Sequence, residues 1–245
     1  MVFEKGEVGR SSRQPAKKHY TARVFITLTS ISAVALLIYL MPNMKGFGIA
    51  GMVVAGLVMK IIMNTPNREL ETYERLERRA AKGAKAEEKI GDRLRELSNE
   101  YAVFHDIESP YGNVDHLVID KQNNVFLVET KSHSGEVTYD GSMLLINKKP
   151  VEKDFIAQIF KNTFWIRAEI KKQASLDVFV KPVLVFTNAV VKIPGTVKNI
   201  SIINKKYLMK ILERPSRKSK SGQIDSRRPR LFTVVNRLQR KSSEE

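Results

Sequence analysis

The stretch VDHLVIDKQNNVFLVETKSHSG, residues 114–135, carries charged side chains at the ends of two apolar runs. Asp115 comes just before the first run, and Glu129 and Lys131 close the second. Burying a charged group costs on the order of several kcal/mol unless it is paired or binds a metal. The two runs therefore predict a β-hairpin whose charged residues have a role beyond solubility.

The register of this hairpin decides whether the charges meet. Side chains two residues apart on a strand point to the same face, so Glu129 and Lys131 stand side by side. Asp115 joins them only if it pairs with position 129 or 131, because a one-residue slip would move it to the opposite face. A loop of three residues (QNN) or five (DKQNN) satisfies this, with Asn123 or Asn124 in the left-handed conformation.

Asp115, Glu129 and the backbone carbonyl of Thr130 would form a hard oxygen site suited to Mg²⁺ or Mn²⁺. Lys131 beside them is suited to hold an attacking water and to stabilise charge on a phosphate. From the flanking helices, Glu87 and Gln158 are placed to approach the same cleft. The pattern favours phosphodiester hydrolysis, and its plain alternative is a strand that ends in an ordinary surface ion pair.

Composition points to an anionic partner. The formal net charge is +16 and the pI is near 9.9, which suits either nucleic acid or the acidic headgroups of a lipid bilayer. Cysteine is absent, which excludes disulfides and thiolate metal sites. Only four histidines are present, and His116 and His133 flank the hairpin without a third imidazole at ligand spacing. We therefore expect His116 to be a core residue.

Two apolar segments near the N-terminus predict a transmembrane helical hairpin. Residues 24–44 contain no charge, and residues 46–63 are interrupted only by Lys60. Lys and Arg lie outside the pair, with only Lys45 in the turn. This distribution predicts a multi-pass protein of the cell membrane, with both termini and the catalytic domain cytoplasmic. The alternatives are a buried pair of core helices or a cleaved signal peptide, and the second apolar segment, which follows at once, argues against the signal peptide.

The chain divides into five predicted segments. A basic N-terminal segment (1–23) and the hairpin (24–63) precede a polar helical linker (64–82), which begins at Thr65-Pro66 and ends near Gly83. Residues 83–213 read as a helix, antiparallel strands, a helix and further strands, which is typical of an α/β sandwich around a mixed sheet. A basic arm (214–245) follows, suited to bind phosphates or the anionic leaflet. The sequence indicates no oligomeric state.

Residues 82–188 resemble the nuclease-related domain (NERD) family of the PD-(D/E)XK nuclease superfamily. The resemblance is carried by Glu87 on the leading helix, by VDHLVI and VFLVETKSHSG on the hairpin, and by Gln158 in DFIAQIF. It implies a restriction-endonuclease-like mixed sheet flanked by helices, here preceded by the transmembrane hairpin. It also implies a metal-dependent cut of DNA or RNA, with Asp115 and Glu129 as metal ligands and Lys131 as the catalytic lysine. Glu87 and Gln158 would support them.

The expected protein is thus a membrane-anchored nuclease that uses Mg²⁺ or Mn²⁺. The alternative is a non-catalytic nucleic-acid-binding or scaffold protein that retains the nuclease fold. The intact set of Asp115, Glu129 and Lys131 favours the enzyme, because a binding module has no need of two buried acids beside a phosphate.

Overall fold

The computed structural model describes residues 1–9, 24–25, 28–29, 32, 49–214 and 227–244. By contacts, the chain forms two compact units, one of residues 1–11 and 82–245 and one of residues 12–81. The helices are α1 (Ile49–Arg95), α2 (Phe155–Ala174), α3 (Leu208–Leu212) and α4 (Arg227–Glu244), with a 3₁₀ turn at Lys205–Tyr207. The strands are β1 (Phe3–Lys5), β2 (Ala102–Ile107), β3 (Val114–Ile119), β4 (Val125–Tyr139), β5 (Leu144–Ile146), β6 (Lys149–Pro150), β7 (Val180–Val191), β8 (Thr196–Val197) and β9 (Ile200–Asn204).

One mixed sheet organises the larger unit. Its main strand order is β1-β2-β3-β4-β7-β9-β8, and β5 pairs with the end of β4 while β6 pairs with β5. The hairpins β2-β3 and β3-β4 are antiparallel, whereas β4, β7 and β9 run parallel. Helix α2 connects the parallel strands β4 and β7, as parallel pairing requires. The predicted mixed sheet flanked by helices is confirmed.

Each face of the sheet is covered by its own helices. Apolar side chains of α2 and α4 pack on one face, around Leu127 and Leu184 of the central strands. The end of α1 and helix α3 cover the other face, where Ile90 and Leu94 meet Val118 and Val128. Side chains of the two faces alternate along β3 and β4, and β3 and the first half of β4 are buried on both sides.

Pro182 lies inside β7 rather than at its start. It pairs with Leu127 of β4 on one side. On the other side the pairing with β9 begins only at Val183. The missing N–H of the proline therefore costs no hydrogen bond on the β9 side, which is why this central strand tolerates it.

Helix α1 is longer than the sequence predicted. It runs from Ile49 to Arg95 through Pro66 and Gly83, so the predicted helix start at Thr65-Pro66 and the predicted break at Gly83 are wrong. A proline inside a helix removes one hydrogen bond and costs about 3 kcal/mol. The long runs of Glu, Arg, Lys and Ala around these positions favour helix strongly enough to offset it.

No helix within the described residues combines the length and apolarity needed to span a bilayer. The first predicted span, 24–44, lies almost entirely outside those residues. The second, 46–63, overlaps the beginning of α1. The transmembrane hairpin therefore stays a prediction.

The two ends of the chain contribute to the same core. Strand β1 pairs in parallel with β2, and Phe3 packs against Phe104 and Phe232 with ring centroids 5.8 and 5.5 Å away. Lys5 Nζ donates to Asn236 Oδ1 of α4 at 2.9 Å. The sequence predicted basic segments at both ends, with a short amphipathic segment at 231–240, whereas 3–5 form a strand and 227–244 form a helix of the core. Residues 215–226 of the predicted arm lie outside the described residues.

Candidate active site

The predicted hairpin register is confirmed. His116 pairs with Val128 and Ile119 with Val125, so the same register places Asp115 opposite Glu129. The connecting loop is residues 120–124, closed by a hydrogen bond from Asp120 N to Asn124 O at 3.0 Å. Asn123 has φ 63°, the left-handed conformation that the turn needs. The longer of the two possible loops is therefore the one that forms.

Lys131 is the centre of the site. Its Nζ donates to Glu129 Oε1 at 2.8 Å and to Gln158 Oε1 at 3.2 Å. The ammonium also lies 4.7 Å from the centroid of the Phe155 ring. Gln158 faces the site because α2 begins just before it, capped by Asp154, whose carboxylate accepts from Ala157 N at 2.9 Å. The structure thus brings together Glu129, Lys131 and Gln158 as the sequence predicted.

Asp115 is linked to this group by a hydrogen bond from the backbone of Thr130. Thr130 N donates to Asp115 Oδ2 at 2.6 Å. In an extended strand the N–H and C=O of one residue point to the same side, so the Thr130 carbonyl is directed toward the Asp115 side of β4. The Thr130 hydroxyl is buried and has no hydrogen-bond partner among the described residues. The backbone of Thr130, and not its side chain, is therefore what the site uses.

The carboxylates of the site repel one another. Burial, together with the charges of Glu129 and Glu87, raises the pKa of Asp115 well above its ordinary value. Burial lowers the pKa of Lys131, but the charges of Glu129 and Asp115 outweigh it and raise that pKa overall. Lys131 is therefore cationic at neutral pH and stabilises acids that could not otherwise share one buried space.

Glu87 reaches the site from the other side of the sheet. It is buried on α1, whose neighbouring residues Ile90 and Leu94 pack on the face opposite α2. Its charge acts on both Asp115 and Lys131 and raises the pKa of each. The structure therefore supports an electrostatic link of Glu87 with Asp115 and with Lys131.

Strand β4 changes its pairing directly after Lys131. Its alignment with β7 shifts between Lys131 and Ser134, and Gly135 follows with φ 106°. Irregularities of this kind bend a strand and redirect its side chains, and they are common beside active sites. Here the shift separates the buried half of β4, which carries the site, from an exposed half.

The histidines do not join the site. His116 is buried on the α1 face, where its Nδ1 lies 2.7 Å from His105 Nδ1, and His105 Nε2 lies 2.9 Å from Glu4 Oε1. Burial lowers the pKa of His116 well below its ordinary value, so it is neutral at neutral pH. The ring centroid of His133 lies 5.3 Å from that of Phe155, the ring that Lys131 also contacts. The prediction that His116 is a core residue is confirmed.

The aromatic residues of α2 contribute mainly to packing. Phe160 and Trp165 lie partly buried against the core, and Phe160 stacks with the exposed Phe164 at 6.1 Å. The sequence analysis did not single out the loop between β2 and β3, in which Gly112 lies close to Gln158. Only the turn residues Ser109, Pro110, Gly112 and Asn113 signalled this loop.

Acids on two adjacent strands, with a lysine two residues after the second acid, therefore lie together on a mixed sheet flanked by helices. Residues 82–187, a little under half of the chain, match the model of the family described as the nuclease-related domain, and this match supports a nuclease-like domain there.

A comparison with curated proteins gave no match. Among solved structures, the chain is similar to the crystal structure of a repair endonuclease from Pyrococcus abyssi, with 13% identity and a TM-score of 0.25. The match covers 51% of this chain and 40% of that one, so the chain spans less than half of that endonuclease. A TM-score this low does not establish a shared fold.

Proposed function

We propose that the protein is a Mg²⁺- or Mn²⁺-dependent nuclease that hydrolyses phosphodiester bonds of DNA or RNA. The observation that supports this most directly is the set of buried Glu129 with the partly buried Asp115 and Lys131, and Gln158 bound to the lysine. A buried and a partly buried acid beside one lysine are costly for folding, so a structural role alone does not account for them.

The donor set fits a hard divalent cation. Glu129 Oε2 is buried and accepts no hydrogen bond from any described residue, so one oxygen of the site has no partner. A cation would give it one and would favour the ionised form of Asp115. Across the described residues, no three His, Asp or Glu side chains form a metal-binding group. The proposed ligands are instead Asp115, Glu129 and the carbonyl of Thr130.

In the proposed reaction, water attacks the phosphorus, the bond to one sugar oxygen breaks, and that oxygen leaves with a proton. When bound, the cation supplies a Lewis acid that neutralises charge on the phosphate. Lys131 donates to the attacking water or to the phosphate oxygens as negative charge develops. Gln158 Oε1 and Glu129 Oε1 hold the lysine ammonium in place, and Glu87 adds negative charge that keeps it protonated.

The test is cleavage of end-labelled DNA and RNA by the full-length chain. The full chain is needed because residues 1–11 belong to the same compact unit as the site. We expect cleavage with Mg²⁺ or Mn²⁺ and none after chelation. Glu129→Gln and Lys131→Ala should each lower the rate by about 10²-fold or more, whereas Glu136→Gln on the exposed half of β4 should not.

Wild-type rates in the Glu129→Gln and Lys131→Ala proteins would refute the mechanism. Metal-independent binding of nucleic acid without cleavage of any substrate would instead support the non-catalytic scaffold.

We further propose that the enzyme is anchored to the cell membrane, with both termini and the nuclease domain in the cytoplasm. Support comes from the sequence: residues 24–44 lack charge, and the flanking segments are rich in Lys and Arg. Carbonate extraction of membranes should leave the protein in the pellet, and a reporter after residue 245 should behave as cytoplasmic. Full release into the supernatant would exclude the anchor.

A further inference from the structure

An exposed aromatic residue stands beside the proposed active site. Tyr111, in the loop between β2 and β3, is 50% exposed. The next residue, Gly112, has φ 99°, and a Cβ built there would lie 3.8 Å from Gln158 Nε2. Gln158 in turn accepts from Lys131. The backbone next to Tyr111 therefore lies close to the side chain that positions the lysine, near enough for a Cβ at residue 112 to contact it.

The loop that carries Tyr111 is tightly held. Ser109 Oγ lies 2.6 Å from both Gly112 O and Asn162 Oδ1, and Tyr111 N donates to it at 3.0 Å. Asn162, wholly buried on α2, also donates from Nδ2 to Asn113 O at 3.5 Å. A buried amide thus fastens both sides of the loop to the helix of Gln158. A tyrosine on such a loop has a fixed backbone, so only its side-chain torsions lose freedom when it binds a ligand.

Two other exposed aromatic residues do not share this position. Phe164 follows Gln158 on α2, but at 3.6 residues per turn it lies about 120° away from it around the helix. Tyr207, 47% exposed, lies in the 3₁₀ turn after β9. Tyr111 is therefore better placed than either of them to meet a substrate at Lys131.

We propose that Tyr111 stacks on an unpaired base next to the scissile phosphate. The proposal rests on the nuclease function above and narrows its substrate class to single-stranded DNA or RNA, or an unpaired end or junction. A protruding ring can stack only on a base with a free face, and in an intact duplex both faces are covered by neighbouring bases. The net charge of +16 attracts the phosphates of either kind of strand, so the ring, and not the charge, selects the unpaired one.

The experiment compares full-length Tyr111→Ala, Tyr111→Phe and the matched control Tyr207→Ala. Cleavage of a single-stranded oligonucleotide is measured first, and the cut is mapped. We expect Tyr111→Ala to raise KM about 10-fold with little change in kcat, because stacking holds the strand without taking part in bond breaking. Tyr111→Phe keeps the ring and Tyr207→Ala leaves the site intact, so both should behave like the wild type.

A second substrate isolates the stacked base. The same oligonucleotide is made with an abasic nucleotide on either side of the mapped cut. At one of these positions, the abasic nucleotide should lower kcat/KM of the wild type by the same factor as Tyr111→Ala lowers it on the intact oligonucleotide. The abasic nucleotide should not lower kcat/KM of Tyr111→Ala any further. The proposal would be overturned if Tyr111→Ala and Tyr207→Ala had the same KM. It would also be overturned if Tyr111→Ala raised KM on every abasic substrate as much as on the intact oligonucleotide. An intact duplex that is cut at least as efficiently as the single strand would overturn it as well.

A binding measurement tests the stacking by Tyr111 separately from the nuclease function. Fluorescence anisotropy of the labelled oligonucleotide is measured with the chelated protein, so no cleavage is required. Weaker binding by Tyr111→Ala than by Tyr207→Ala supports stacking even if the wild type cuts nothing, in which case the nuclease proposal alone fails. Equal binding by the two variants counts against stacking whether or not the protein is active.

Discussion

Two Glu–Lys ion pairs, each with its Glu on strand β4, have nearly the same length but differ in how exposed their side chains are. Glu129 and Lys131 lie 2.8 Å apart with side chains 3% and 14% exposed. Glu136, on the same strand, lies 2.7 Å from Lys192 just after β7, with side chains 41% and 61% exposed. The shift in pairing between Lys131 and Ser134 separates them. The distance between two charges therefore says little about their role, because solvent access decides the free-energy cost of keeping them in the folded protein.

Water is the physical reason for the difference. The exposed pair gains about 0–1 kcal/mol, because water already solvates both charges. In the buried pair, each charge has lost its water and depends on the other, so removing one partner costs about 3–5 kcal/mol. This cost is the reason for proposing a chemical role for the buried pair, whereas the Glu136 pair is an ordinary surface contact.

The largest expected effect is on the stability of the metal-free protein when Lys131 is removed. Lys131→Ala leaves Glu129 and Asp115 buried beside each other, and we expect the free energy of unfolding to fall by about 3–5 kcal/mol. Urea denaturation in the presence of a chelator measures this. Adding Mg²⁺ should recover part of the loss, because a cation then replaces the lysine charge. A loss below about 1 kcal/mol would make the two pairs equivalent.

A smaller effect, dependent on pH, is expected for Asp115. Its pKa is raised well above the ordinary 3.8, so the folded state keeps a proton that the unfolded chain releases. Its contribution to stability is complete below pH 3.8 and is lost as the pH rises through the folded pKa. Asp115→Asn cannot ionise, so at neutral pH without metal it should melt at a higher temperature than the wild type.

The gap between Asp115→Asn and the wild type should close as the pH falls toward the ordinary pKa, and Mg²⁺ should stabilise only the wild type. Melting curves over a pH series measure both. A gap that is constant with pH would show that Asp115 does not titrate in this range.

The smallest effect is expected at the exposed pair. Lys192→Ala should change the free energy of unfolding by no more than about 1 kcal/mol, and 1 M NaCl should remove that change by screening. The same salt should leave the loss in Lys131→Ala largely intact, because solvent ions do not reach the buried pair. A larger effect at Lys192 than at Lys131 would reverse the comparison.

Patterns within short stretches of the sequence were enough to predict the hairpin register and the position of Gln158. Alternation along β3 and β4, together with an odd-numbered loop, led to the observed register and so to Asp115 opposite Glu129. Helical spacing predicted α2 and placed Gln158 toward Lys131. These features depend on residues close together in sequence, where the period of the strand and of the helix limits the possibilities.

Features that depend on distant parts of the chain were missed. Strand β1 has three residues and no pattern of its own, and it forms because the edge of β2 offers it hydrogen bonds. Helix α4 was read as part of a basic arm, yet Leu231 and Val235 are buried in the core. The His105–His116 contact likewise exists only because β2 and β3 pair side by side.

By itself, the sequence determined which residues belong together on the hairpin: two acids, a lysine and the backbone between them. Tertiary structure alone decided that Glu129 and Lys131 are buried while Glu136 and Lys192 are not, and that Tyr111 stands beside Gln158. The reason is that strand alternation follows from local geometry, whereas burial depends on which distant helix covers each face of the sheet.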